Sequence, residues 1–176
     1  MTLADLRDGD RVFVDANIFI YHFGGRSVEC KAFLERCGRR NLLAYTSTAV
    51  LAEVLHRCMV AEAIAKGLVT ARTAVRKLGE TPETVKQLTE YQDDVSKIPH
   101  MNITILPLTL EIIQASAEIR KGEGLLTNDS FVVAFMRSQE LTHLATANGD
   151  FDRVGGIAVY KPTDLDGPGT PTNLSI

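Results

Sequence analysis

Four carboxylates stand where a mixed helix and strand fold would present them to a ligand: Asp15 closing the run RVFVD, Glu53 inside AVLAEVL, Asp129 in TNDSF and Asp150 in ATANGDFD. Each has an ordinary explanation. Asp15 could cap the following helix or make a local turn, and Asn17 could serve the same turn or support the acid. Asp129 could complement the positive end of a helix capped by Thr127 or Asn128, and Asp150 and Asp152 could be turn residues. Glu53 resists this treatment, because an unpaired carboxylate in an apolar run is costly when buried. It lies five residues after Thr48 and six after Ser47, not the three that a capping box needs. It therefore requires a basic partner, partial exposure or a site. Crowded acids raise one another's pKa unless a cation neutralises them, and oxygen donors without His or Cys favour Mg²⁺ or Mn²⁺ over zinc. A divalent-metal site accounts for all four together.

The elements that must position these acids can be read from apolar patterning. Arg11 to Asp15 has the β-branched and aromatic character of a buried parallel strand, and Leu42–Thr46, Ile103–Leu106, His143–Thr146 and Ile157–Tyr160 supply four more. Ser27 can cap a helix ending near Gly38, with Cys30, Phe33, Leu34 and Cys37 inward. Ser47 or Thr48 can cap a long helix from Ala49 to about Lys66, stopped by Gly67. Thr70–Leu78 and Pro82 to about Lys97 read as two mostly polar helices in an exposed hairpin, with Pro82 at the first helical position. Thr109 caps a helix over Leu110–Lys121, and Thr127 opens another. Strands alternating with helices predict a three-layer α/β/α fold around a mostly parallel sheet of about five strands. The expected organisation is one domain over 1–163, with the hairpin insert at about 70–97 and a loose tail over 164–176.

The chain has 176 residues, 45% hydrophobic and 23% charged, which suits one well-buried core. The stretch from Met1 to Asp10 is polar and acidic, unlike a secretory leader, and no apolar run approaches the roughly 20 residues of a membrane span. These features point to a cytoplasmic protein with no membrane role. Cys30, Cys37 and Cys58 lack metal or redox spacing and are expected to be reduced packing residues, while His22, His56, His100 and His143 are scattered. A formal charge of −3 argues against holding nucleic acid by overall charge, although without the four acids the balance turns slightly positive.

In their order and spacing, V-D-A-N at the first strand end, S-T-x-V-x-x-E, L-x-T-N-D-S-F-V-V-A and L-A-T-A-N-G-D-F-D closely resemble the PIN-domain family. The resemblance is strongest to the VapC-type toxins of prokaryotic toxin-antitoxin pairs and their archaeal relatives. It covers Arg11 to about Lys161 and implies a Mg²⁺- or Mn²⁺-dependent endoribonuclease with an RNA substrate, a cognate antitoxin and a homodimeric state. Asp15, Glu53 and Asp129 match the family's first three acids, and Asn17, Asn128 and Thr146 match polar positions beside them. Where T-x-D-x-D-F forms of the last motif carry their first Asp, this chain has Asn148, so the fourth acidic role falls to Asp150 or is partly lost. Asp150 can fill it only if the turn at Gly149 aims its side chain into the crevice, with Phe151 anchored in the core and Asp152 on the other side.

On this basis Asp15, Asp129 and Asp150 are expected to hold metal, and Glu53 to ligate or to take a proton from the attacking water. Arg57, one turn after Glu53, and Arg137 are candidate contacts to the RNA backbone, though either could be a solvated surface residue. Two other phosphotransfer classes fit poorly. Asn17 stands where dehalogenase-like phosphatases need a second acid, and no strand precedes Arg11 to carry a receiver's paired acids. A non-catalytic PIN-fold RNA-binding or scaffold module, with Asn148 marking decay of the site, is the alternative.

Overall fold

Val12, Phe13 and Val14 are completely buried, and this makes β1 (Arg11–Val14) the central strand of the sheet. A strand covered on both faces needs a continuous apolar run rather than alternation. β1 pairs in parallel with β2 (Leu43–Ser47) on one side and β4 (His143–Ala145) on the other, so that Phe13 lies opposite both Tyr45 and Leu144. β3 (Thr104–Leu106) and β5 (Ala158–Tyr160) complete a five-stranded, all-parallel sheet in the order β3-β2-β1-β4-β5. The computed structural model describes residues 1–165, and helices cover both faces of the sheet in three α/β/α layers. Among the described residues no helix is long and apolar enough to cross a membrane.

The helices begin where short polar side chains can satisfy their first amides. Ser27 caps α2 (Val28–Gly38), its Oγ accepting from the Cys30 amide at 2.9 Å. Ser47 does the same for α3 (Thr48–Ala65) through the Val50 amide, and Thr109 for α7 (Leu110–Glu123). α1 (Ala16–Phe23) and α8 (Thr127–Ser138) follow Asp15 and Leu126. Neither Thr127 nor Asn128 caps α8, because the helix already starts at Thr127 with Leu126 in the cap position. Cys30 and Cys37 are buried on α2, and burial pushes their thiols up to about 11 and about 12. They are packing groups, not nucleophiles.

The segment between α3 and β3 departs from the expected pair of helices. It forms three short ones, α4 (Ala74–Glu80), α5 (Pro82–Val85) and α6 (Glu90–Ser96). Their partner is the second half of α3, against which Ala74, Leu78 and Leu88 bury with Val60 and Ala63 in a small core of their own. The break before α6 is fixed by Glu62, a buried acid of α3. Its carboxylate accepts from the Thr89 amide at 3.0 Å and the Tyr91 amide at 2.9 Å, and pairs with Lys66. Burial pushes this carboxyl up, but the hydrogen bonds outweigh it and the net value falls to about 2. Glu62 thus substitutes for a local cap at the start of α6.

Residues 166–176 of the expected loose tail lie outside the described residues. Asp164, at its start, is docked on the beginning of α2, where it accepts from Ser27 Oγ at 2.6 Å and from the Glu29 amide at 3.1 Å.

Candidate functional site

The strand order reverses at β1, since β2 and β3 lie to one side and β4 and β5 to the other. Ligands of open parallel sheets bind at such reversals, beyond the carboxyl ends of the strands. Here the end of β1 delivers Asp15 and the end of β4 delivers Thr146, and the Asp15 amide donates to the Ala145 carbonyl at 3.1 Å. Above this junction opens a cleft of about 600 Å³. Its walls include Asp15, Asn17, Glu53, Asn128, Asp129, Asn148 and Asp150, contributed by the starts of α1 and α8, the first turns of α3 and the turn after β4. Among the described residues no His or Cys lines it.

Asp15 combines the ordinary and the functional possibility. It caps α1, with Oδ1 accepting from the Ala16 amide at 2.7 Å, and its Oδ2 accepts from Thr146 Oγ1 at 2.6 Å and Asn17 Nδ2 at 2.8 Å. Three donors therefore fix one buried carboxylate. Burial pushes its carboxyl up to about 6 from an ordinary 3.8, against the lowering by Thr146 and Ala16 and with a further push from the charge of Glu53. Asn17 also ties the β4 end to α1, because its Oδ1 accepts from the Ala147 amide at 2.8 Å. Thr146 Oγ1 accepts from the Asn148 amide at 3.0 Å.

Asp129 is half-buried in the first turn of α8, and its carboxyl is also pushed up to about 6. Burial is the largest cause, followed by the charges of Asp15, Asp150 and Glu53, while a hydrogen bond from Asn148 opposes them. Asn148 Nδ2 donates to Asp129 Oδ1 at 3.3 Å, and Asn128 Nδ2 donates to Glu53 Oε2 at 3.2 Å. Glu53 is thus half-buried on the same side as Asp15 and Asp129, and its partner is an amide, not a basic side chain. The turn after β4 is a 3-10 helix over Gly149–Arg153 that Asn148 caps through the Asp150 amide at 2.9 Å. Gly149 has no positive φ, so aiming Asp150 does not depend on glycine's conformational freedom. Phe151 is fully buried and separates the two acids around it. Asp150 faces the cleft rim and pairs with Arg153 at 3.1 Å, whereas Asp152 pairs with Lys161.

The acids share a cleft without yet forming a cage: among the described residues no three His, Cys, Asp or Glu side chains are placed to hold one ion together. Each is instead held by an amide, a hydroxyl or Arg153. The donor set nevertheless fits a hard divalent cation, being all oxygen, partly buried and mutually repelling. Glu53 and Asp150 line the same cleft. Of the basic candidates, Arg57 lines the cleft. Arg137 does not, because the far end of α8 carries it to Glu123 of α7, 2.8 Å away. Sequence patterning overlooked Tyr21, Leu126 and Phe131 on the walls; the position of Tyr21 one turn beyond Asn17 on α1 was the available signal for the first.

The fold and the cleft define a class. A family model described as PIN domain matches residues 12–157, and the chain belongs to the PIN-domain family. It is 28% identical over 152 residues to Ribonuclease VapC2 of Methanocaldococcus jannaschii, covering 86% of this chain and 94% of that protein. Ribonuclease VapC6 of the same organism is 23% identical over 150 residues, covering 85% and 96%. Among solved structures, VapBC2 of Rickettsia felis bound to a promoter DNA fragment superposes with a TM-score of 0.57 at 16% identity, over 86% of this chain and 98% of that one. The sarcin-ricin loop cleaving toxin VapC20 of Mycobacterium tuberculosis gives 0.54 at 16%, over 82% and 95%. These two likenesses establish the fold.

The raised carboxyls of Asp15 and Asp129 set a sign for stability. Between about 3.8 and about 6 the folded protein binds more protons than the unfolded chain, so stability falls as pH rises through that window. In chelator, raising the pH from 5.5 to 7 is expected to lower Tm more, or raise it less, in wild type than in Asp129→Asn, a comparison that cancels the opposite contribution of His22, whose pKa is lowered by burial. A cation that binds only the folded protein stabilises it by mass action, so millimolar Mg²⁺ or Mn²⁺ is expected to raise Tm at pH 7. Melts that ignore both pH and metal would remove the physical basis for a cation site here.

Proposed function

We propose that this protein is a divalent-metal-dependent endoribonuclease that hydrolyses RNA phosphodiester bonds, with Mg²⁺ or Mn²⁺ as its ion. The observation that supports this best is the cleft itself, which four acids from four chain segments line at the sheet's reversal point, with no His or Cys beside them among the described residues. The names of the two archaeal relatives, both ribonucleases, agree with it. A bound cation would neutralise the acids, lower the pKa of the attacking water and stabilise charge building on the scissile phosphate. Asp15 and Asp129 would hold it, with Asp150 joining after turning from Arg153. Glu53 would take the proton of the attacking water. Asn17 and Thr146 fix the orientation of Asp15, and Asn128 and Asn148 do so for Glu53 and Asp129. Arg57, on the cleft wall, would meet the phosphate backbone.

The solved relatives include VapBC2 and a toxin-antitoxin complex from Klebsiella pneumoniae. We infer from this likeness that the chain is the toxin of such a pair, bound by a cognate antitoxin; action on RNA in the cytoplasm and self-association as a homodimer are part of the same proposal. The deciding experiment is cleavage of a labelled single-stranded RNA with Mg²⁺, Mn²⁺ or EDTA. Internal cuts are expected with either metal and none with EDTA; equal cutting in EDTA, or none under any condition, defeats the proposal.

A further inference from the structure

The cleft is chemically mixed. Its acids share the walls with Ile20, Tyr21, Val50, Leu126 and Phe131. A nucleotide carries the same two kinds of chemistry, with a charged phosphate and a flat, weakly polar base. We propose that Tyr21, backed by Arg26, is the stacking platform for an unpaired base next to the scissile phosphate of a single-stranded RNA. This rests on the ribonuclease function proposed above and adds the subsite that would select an unstacked substrate.

α1 is the ruler. Asp15 caps it, and Asn17, Ile20 and Tyr21, at helical spacing, all line the cleft. At ~1.5 Å per residue, Tyr21 sits about 9 Å along the axis from Asp15, within reach of a neighbouring nucleotide. The chain then reverses at Gly24-Gly25. Gly25 has a φ of +63°, a conformation that favours glycine, and a Cβ on Gly24 would make a tight 3.1 Å contact with the Ile20 carbonyl oxygen. The reversal brings the Arg26 amide to the Tyr21 carbonyl at 2.8 Å and its guanidinium carbon to 5.3 Å from the Tyr21 ring centroid.

Arg26 is committed to the ring. Among the described residues no acid pairs with it, and its Nη2 is buried without a hydrogen-bond partner. Leaving such a donor unpaired is unfavourable and is offset in part by the cation-π contact. Arg26 is not part of the cleft wall, whereas Tyr21 is. The cation therefore braces the ring from outside and leaves ring surface to the cleft. Bases stack on such aromatic surfaces with little sequence preference, and a base held in a duplex cannot enter a cleft of this kind.

The test uses single-stranded RNA carrying 2-aminopurine beside the cleavage position, titrated into Asp129→Asn protein, which should bind without cutting. Saturable quenching is expected, retained when Tyr21→Phe is added and lost with Tyr21→Leu, whose Kd should rise about tenfold. With Asp129 intact, Tyr21→Leu should raise KM about tenfold and leave kcat within about twofold, while Arg26→Met should weaken quenching by freeing the ring. Unchanged quenching and KM in Tyr21→Leu, with cleavage intact, overturns the subsite but not the ribonuclease. If Tyr21→Leu does not fold, Arg26→Met decides, and a wild-type quench in it overturns the proposal. RNA that neither binds nor is cut by any form removes both.

Discussion

Asp129→Asn is expected to lower single-turnover RNA cleavage by about 10³-fold, roughly 4 kcal/mol of transition-state stabilisation, with the fold intact. The side chain is half-buried at the start of α8, and among the described residues its only hydrogen bond comes from Asn148 at 3.3 Å. The amide keeps its shape and removes its charge. Asp15 is a poorer probe, because its two oxygens accept from Ala16, Asn17 and Thr146, and an amide would turn an NH₂ toward one of those donors. Loss of activity there would mix chemistry with misfolding. For Asp129→Asn the two separate cleanly: relief of repulsion from Asp15, Asp150 and Glu53 should leave the chelated protein at least as stable as wild type at pH 7, while the metal-induced rise in Tm shrinks. Cleavage within tenfold of wild type in this variant would show that Asp129 does not carry the site.

What the sequence revealed and what it hid divide along the range of the interactions. The run RVFVD announced a central strand because burial on both faces leaves no room for polar residues, and Ser27, Ser47 and Thr109 announced helix starts because capping acts over three residues. Placing Asp15 at a strand end was enough to direct it to the crevice once the sheet was parallel. The region after α3 was misread for the opposite reason. The start of α6 is set by Glu62, 27 and 29 residues before the amides it caps, and no local pattern records that. For Glu53 a basic partner, partial exposure and a site all stayed open, because the amide of Asn128, 75 residues away, was invisible. Arg137 shows the remaining limit: helical periodicity gives a residue's face, but not that α7 would meet that face with Glu123.

The fourth acid separates this chain from the T-x-D-x-D-F pattern, and there Asp150→Asn is expected to reduce cleavage by about 10- to 100-fold, the range seen when groups around a metal site are altered. Asn148 cannot replace the missing charge. It is already engaged, donating to Asp129 and accepting from the Asp150 amide, so it fixes the turn and leaves the charge to Asp150. That carboxylate lies at the cleft rim, close enough to push the Asp129 carboxyl up. Its pairing with Arg153 is exposed on both sides, an interaction worth about 1 kcal/mol or less, so turning inward costs little. The substitution should not loosen the turn, because Arg153 also donates to the Glu123 and Gly124 carbonyls and Phe151 remains in the core. Asp152→Asn is the matched control, one residue beyond Phe151 and facing Lys161; its cleavage should stay within about twofold of wild type, since it loses only a partly exposed ion pair. Single-turnover cleavage of a model RNA at saturating Mn²⁺ compares the two. A crippled Asp152→Asn beside a normal Asp150→Asn would place the fourth charge on the wrong side of Phe151, and two normal variants would mean that Asp15, Glu53 and Asp129 suffice.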